Sequence, residues 1–393
     1  METVILEWGQ LFLRWLHIIT GIAWIGASFY FVWLNNHLRP PEKNTDGIDG
    51  DLWAIHGGGF YRVQRFAVAP EKLPKELHWF KWEAYMTWIS GISLLILMFY
   101  FEARVYMIDP EVADLTVWQA IAIGVGAIVG GWIFYDLLQK SPVGKNQLLF
   151  GILFFAFTVA VSYGLSQTLS GRAAYIHVGA MLGSIMVANV FFNIIPNQRK
   201  VVDDMVAGRQ PDKEAATSAK NRSLHNNYIT LPVLFIMISN HYPFTFGHEW
   251  NWGILMGISV AGALIRHWFN LRGQGQKNYW LWPLAALGLL SLAFVTAPRS
   301  HGADGKKLTY VDVQPIIEKH CRGCHSSQPT DEVFKVAPSG VMYDTPEQVK
   351  AMAEKIKIRA VNTKSMPQGN KTKMTQEERN LLGIWIDQGA KLD

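Results

Sequence analysis

Cysteine is nearly missing from this chain. Its 393 residues hold two, Cys321 and Cys324, both inside one short motif, so a disulfide framework is excluded as a source of stability. Charge is scarce as well, at 17%, and the net +5 is spread over short loops. No single basic patch results, which excludes the footprint of a nucleic-acid binder. The N-terminus, METVILEWGQ, has no basic residue before the first apolar run and no small-residue cleavage site after it. It does not read as a removable signal peptide, and the first helix is expected to stay. What is abundant is oil: half of the residues are hydrophobic, and 15 of the 16 tryptophans lie before residue 283. An apolar, aromatic-rich front and a polar back imply a membrane protein with an appended soluble module.

Eight apolar segments stand out, at about 10–34, 82–101, 118–138, 148–169, 173–195, 226–241, 252–270 and 279–297. Each is close to the roughly 20 residues that a helix needs to cross about 30 Å of hydrocarbon. The connections 35–81, 139–147, 196–224 and 271–278 hold 7, 2, 6 and 2 Lys or Arg, and those at 1–9, 102–117, 170–172 and 242–251 hold 0, 1, 1 and 0. This alternation puts the basic set in the cytoplasm and both termini outside. The expectation is an all-α, polytopic bundle of about eight transmembrane helices in a bacterial inner membrane, its N-terminus and its tail periplasmic. The bundle covers 1–297, a linker 298–307, and a small domain 308–393. In that domain helices are expected at about 311–319, 346–360 and 376–388. Thr375 and Glu378 form a capping box before the last, and Leu381, Leu382, Trp385 and Ile386 share one of its faces. A faint four-plus-four repeat also suggests itself, with His17 and His177 at similar depth in segments one and five, and Tyr-x-Thr at Tyr85 and Tyr228.

The motif that carries chemistry is KHCRGCHSSQP, at 319–329. Cys-x-x-Cys-His is the attachment signal for a c-type haem. Two thiols on one turn reach the two vinyl edges of a porphyrin, and the adjacent imidazole of His325 reaches the iron. A thioether then completes the axial pair. Met342 begins a turn, and Met374 sits where a hydrophobic residue staples the next helix. Met366, in KSMPQGN, occupies a loop able to fold over the ring, and is the expected ligand. A zinc site from His320, Cys321, Cys324 and His325 is disfavoured because adjacent residues rarely point at one metal and no second knuckle exists. A dithiol of the thioredoxin kind lacks its strand and helix frame.

Polar groups inside a bilayer are costly, so those in the segments are functional candidates. His17 and His177, in the outer halves of segments one and five, are the candidates for catalysis. Asp136, Asn193, Asn226, Arg266 and His267 lie toward the cytoplasmic ends; of these Arg266, His267 and Asn226 are candidates for substrate contact. The bilayer's thickness of about 30 Å forbids direct electron transfer from the cytoplasmic rim to a periplasmic haem. The electron donor must bind in the outer half, or a relay must intervene.

With LRWLHIITGIAWIGASFYF, then HWFKWEAYMTWISG, and a terminal CRGCH…SMPQGN…WIDQGA module, the chain resembles the bacterial membrane-bound cytochrome c urate oxidases, or urate hydroxylases, over essentially its whole length. The resemblance implies a class I-like cytochrome c domain at the C-terminus and oxidation of urate to 5-hydroxyisourate with water as the oxygen source. Electrons would leave through haem c to a respiratory-chain acceptor, either a soluble cytochrome c or a terminal oxidase. It assigns no substrate contact residue by residue. The first helix is also similar to histidine-bearing helices of small haem b membrane proteins, which adds a second, b-type haem in the bundle as an expectation. Two rivals stand beside this reading. A quinol-to-cytochrome c oxidoreductase is disfavoured because no segment pairs histidines 13 or 14 residues apart. A transporter or anchor with a tethered electron carrier is disfavoured because anchoring needs only one helix.

Overall fold

The computed structural model describes residues 2–42, 47–67, 70, 72–297 and 307–393. Most of the expected linker, 298–306, lies outside the described residues. The chain is mostly helical. The front comprises α1 (Glu2–His37), a hairpin of β1 (Ile48–His56) and β2 (Gly59–Phe66), α2 (Trp82–Leu95) with a wider turn at Ile96–Tyr100, and α3 (Ala103–Tyr106). It continues with α4 (Val117–Lys140), α5 (Gln147–Ser166), α6 (Gly171–Asn189) leading into α7 (Ile195–Val206), α8 (Lys213–Ser239), α9 (Pro243–Phe246), α10 (Asn251–Gly273) and α11 (Leu281–Val295). Each apolar segment read from the sequence falls on a helix. Among the described residues, six helices are long and apolar enough to cross a membrane, and α11 is a shorter apolar helix.

The hairpin corrects the all-α expectation. Residues 35–81 were read as loop, yet β1 and β2 pair in antiparallel register from Leu52 opposite Val63 to His56 opposite Gly59. Its two-residue turn, Gly57-Gly58, has positive φ at both positions (56° and 81°), the backbone that a tight hairpin turn requires and that glycine adopts without strain. The Gly-Gly pair was the available signal.

Apolar helices of this kind join by close packing at small residues. The core centres on α6, whose face carries Tyr175, His177, Val178, Met181 and Ile185, all fully buried. α4 approaches it through Gly124 and Gly131: a Cβ at either would lie 2.4 Å from the His177 ring or 2.3 Å from Met181. By contrast α1 and α11 are peripheral and expose Trp8, Phe12, Trp15, Leu287, Leu290 and Phe294 outward.

The loops sort into two ends. At one end Arg39 donates to the Gly273 carbonyl at 3.3 Å and His225 bonds Gln147 at 2.7 Å, so the Lys- and Arg-rich connections gather there. We refer to it as the basic end. At the other, Ser170 donates to the Tyr106 carbonyl at 2.7 Å and Asn251 to that of Phe246 at 3.0 Å. The tail docks on this second end.

The tail is a small helical unit with its own core. α12 (Tyr310–His320), α13 (Pro346–Ala351), α14 (Ala353–Ile356) and α15 (Gln376–Asp387) enclose Val313, Ile317, Val349, Met374, Leu382 and Trp385. The capping box ahead of α15 is formed: the Thr375 amide donates to Glu378 Oε2 at 2.7 Å and the Glu378 amide to Thr375 Oγ1 at 3.3 Å.

Candidate functional site

α12 ends at His320, and the chain makes one more turn through the motif. The Cys324 and His325 amides both donate to the Cys321 carbonyl, at 3.3 and 2.9 Å, which stacks the two thiols and the imidazole on one turn. Both cysteines are free thiols. Burial pushes them up, Cys321 to about 12 and Cys324 to about 11, so both are protonated at neutral pH. His325 is lowered by burial. Its Nδ1 lies 3.0 Å from the Val341 carbonyl, an acceptor only, so Nδ1 carries the proton and Nε2 keeps a lone pair. That is the tautomer a metal-ligating histidine needs. His320 turns away from the turn: its Nδ1 bonds Thr372 Oγ1 at 2.7 Å and its Nε2 lies 3.1 Å from Glu378.

The three methionines occupy different surroundings. Met342 is 37% exposed, and Met374 is 1% exposed inside the core. Met366 packs on the cluster that Cys321 also joins. Its amide donates to the Arg359 carbonyl at 2.9 Å, and its own carbonyl accepts from Arg379 Nη1 at 2.7 Å. Arg379 also donates to the Ala360 carbonyl and, at 3.1 Å, to Asn370 Oδ1. This buried guanidinium therefore holds the whole 360–370 stretch from behind. The sequence reading passed over it because an arginine on the last helix looks like a solvated one.

Within the bundle, His17 lies between α1 and α2, its Nδ1 2.9 Å from the Thr87 carbonyl and 3.1 Å from Ser90 Oγ, and its ring against Gly91. His177 bonds the Ala173 carbonyl of its own helix through Nδ1 at 2.8 Å and stacks on Tyr100 at 5.8 Å. Its Nε2 is buried and has no partner among the described residues. The two histidines are not at similar depth: α2 advances from Gly91 at His17 to Tyr100 at His177, about 13 Å at helical rise. α1 runs for 36 residues, so position along it does not fix a side chain's level against the neighbouring helices.

The three substrate candidates are not brought together. Asn226 belongs to a network at the basic end, where its Oδ1 accepts from Asn189 at 2.9 Å and its Nδ2 donates to the Met186 carbonyl at 2.9 Å. In the same network Arg222 donates to Asn189 at 3.0 Å and to Asp136 at 2.7 Å, and Tyr135 bonds Asn189 and His225. Arg266 instead donates to Asn227 at 3.1 Å and lies 4.0 Å over the Phe29 ring. His267 bonds the Tyr228 hydroxyl at 2.7 Å. Asn193 pairs with Ser218. Arg222, Tyr135, Asn189 and His225 were missed as site residues. Arg222 had been counted in a loop, but α8 starts at Lys213, well before its apolar half.

A family model described as urate oxidase N-terminal matches residues 3–297. The chain belongs to the urate oxidase N-terminal family. No curated protein and no solved structure matches it. The family match ends where the bundle ends, and the CRGCH unit lies beyond it. In this family member the two parts touch: Asn370 Nδ2 donates to Glu111 Oε1 at 2.7 Å, and Gly369, with φ +60°, sits so close to α3 that a Cβ would be 3.1 Å from the Val105 carbonyl. The loop holding Met366 thus meets the bundle.

Proposed function

We propose that the chain is a membrane-embedded urate oxidase that delivers electrons to a haem c on its own C-terminal unit. Membership of the urate oxidase N-terminal family supports a urate-related oxidoreductase role, and several apolar helices are compatible with membrane embedding. The observation that carries the finer reading is the docking of the Met366 loop, from the CRGCH unit, on α3 of the family bundle. Urate and water give 5-hydroxyisourate, two protons and two electrons. The basic loops argue for a cytoplasmic basic end, which leaves the docked unit in the periplasm of a bacterial inner membrane.

The residues present fit a c-type haem: two free thiols on one turn, an imidazole with a free Nε2, and a thioether in the same cluster. Cys321 and Cys324 would hold the ring covalently, and His325 and Met366 would hold its iron. When bound, the group supplies a one-electron acceptor, so each urate requires two successive transfers onward to a soluble cytochrome c or terminal oxidase. Val341 fixes the orientation of His325, and Arg379 that of the Met366 loop. In the bundle, His177 is the residue proposed to take a proton, at Nε2, because Nδ1 is committed to Ala173. His17 is proposed as a second proton-handling group. A b-type haem held by His17 and His177 together does not fit, since the two rings meet the α2 run nine residues apart, at Gly91 and at Tyr100.

The test is anaerobic. Purified full-length protein, assembled with a working haem-attachment system, is mixed with urate and its spectrum followed. Reduction of the haem is expected; an unchanged spectrum from protein that dithionite still reduces refutes the proposal.

A further inference from the structure

A cleft of about 630 Å³ separates the bundle from the tail, within the range of small-ligand sites. One wall is the bundle end that bears Tyr106, Arg172, Phe246 and Asn251, and the other is the stretch around Met366, with Asn362 and Gln368. Arg172 has neither an ion pair nor a hydrogen bond among the described residues; its guanidinium lies 6.0 Å from the Tyr106 ring and 5.4 Å from the Phe246 ring. Three amide atoms in these walls, Asn251 Oδ1, Asn362 Oδ1 and Gln368 Nε2, are shut off from solvent without a partner. Buried polar atoms are usually paired, so these three are free to bond a ligand once their side chains turn toward the cleft. The deep arginines are already engaged by side-chain acceptors: Arg222 holds Asp136 and Asn189 through its Nη atoms, with only its Nε unpartnered, and Arg266 holds Asn227.

We infer that this cleft is the substrate site, that it takes a planar anionic heterocycle with both N–H and carbonyl groups, and that Arg172 is its anion anchor. The inference rests on the proposed function, under which the heterocycle is urate. A free guanidinium flanked by two aromatic rings matches a flat anion in charge and shape. Turned toward the cleft, the amide groups on both walls supply the acceptors and the donor that its N–H and carbonyl edges require. Asp109, Glu111 and Glu249 also line the cleft, and their negative charge makes the Arg172 cation the deciding contact for an anion. The volume exceeds one purine, leaving room for the co-substrate water. The position also answers the distance problem. A donor held here stands against the Met366 loop, so no relay through the bilayer is needed. His177, six residues into α6 beyond Gly171, lies beneath this floor, linked to it by the Tyr106 and Phe99 rings.

The experiment uses the haem-loaded full chain, first reduced with dithionite so that bound urate cannot be oxidised. Equilibrium dialysis with radiolabelled urate then reads affinity alone. Arg172→Gln is expected to weaken binding at least tenfold and Arg172→Lys less. Gln368→Ala, a change on the opposite unit, should weaken it about threefold, and guards against misfolding of the bundle variant. In the oxidised protein Arg172→Gln should raise KM by the same factor with an unaltered haem spectrum. Wild-type affinity in both Arg172→Gln and Gln368→Ala overturns the inference, as does a loss of binding carried by Arg266→Gln instead. Wild-type protein that binds urate but does not reduce its haem refutes the proposed function and leaves the site standing; wild-type protein that binds no urate overturns the site.

Discussion

Arg379→Met isolates what one buried cation does for the C-terminal unit. Arg379 is 1% exposed and donates to three acceptors, the carbonyls of Ala360 and Met366 and the side chain of Asn370. Methionine nearly fills the volume of its stem, so cavity formation contributes little. Asn370 Oδ1 keeps a second donor, the Met374 amide at 3.0 Å, and is not orphaned. The two carbonyls lose a charged donor, at about 1–3 kcal/mol each, partly offset because a guanidinium no longer has to be desolvated. A net loss of about 3 kcal/mol follows. For a unit of this size each kcal/mol moves the midpoint by roughly 4–8 °C, so the C-terminal transition should fall by about 12–24 °C. Calorimetry of the full chain reads this directly. A second consequence is local: with its carbonyl released, the Met366 loop should let go of the iron, and the weak thioether-to-iron absorption band should fade. A C-terminal midpoint within about 2 °C of wild type, with the band intact, would refute the positioning role.

Three further outcomes follow from particular contacts. Met366→Ala should abolish the thioether-to-iron band and lower the potential. Met374→Ala should retain the band while costing about 2–5 kcal/mol, since that side chain fills the core; the reverse spectral pattern would reassign the ligand. Glu378 is pulled up by burial, but the Thr375 amide, Lys319 and His320 outweigh this and hold it at about 2, below its ordinary 4.5. Its folded value is the lower one, so the stability it contributes is complete above pH 4.5 and lost as pH falls toward 2. The C-terminal midpoint should therefore drop most steeply in that window, and Glu378→Gln should flatten the slope; Asp331, also held at about 2, acts in the same direction. Gly124→Ala places a Cβ 2.4 Å from His177 Nε2, whereas Gly126→Ala meets nothing within 4 Å. The first should cost about 1–3 kcal/mol in detergent melting and the second almost nothing; equal midpoints would show that α4 and α6 are loosely packed there.

What could be read from the chain alone was whatever rests on neighbours in sequence. Thr375, Glu378 and the apolar face of α15 lie within one helix, and their box and burial came out as expected. CRGCH is likewise a single turn. Apolar runs marked the bundle helices, but only where both faces meet lipid or core. α8 breaks the rule: its first half, KEAATSAKNRSLHNN, is polar enough to look like loop, although Arg222, Asn226 and Asn227 on it are buried. The hairpin failed for a different reason, since β1 and β2 expose Trp53, Ile55, Phe60 and Tyr61, so their strands lack the polar and apolar alternation of a sheet resting on a core.

The proposed substrate site is the extreme case of this limit. Arg172 begins a bundle helix and Gln368 sits in a loop of the tail, and nothing in the spacing of either suggests the other. Arg172 had been counted only as one basic residue on a nearly uncharged side. Its meaning changes once the docked tail closes over it, because a cation on a loop is ordinary, whereas a cation left unpaired between two aromatic rings at a domain junction is not. Under the proposed function, the same junction spares electrons a path across the bilayer. A chain that separates oxidation from electron acceptance by two domains has its natural site where those domains meet, and the residues that build it are therefore the ones least visible in either domain's own pattern.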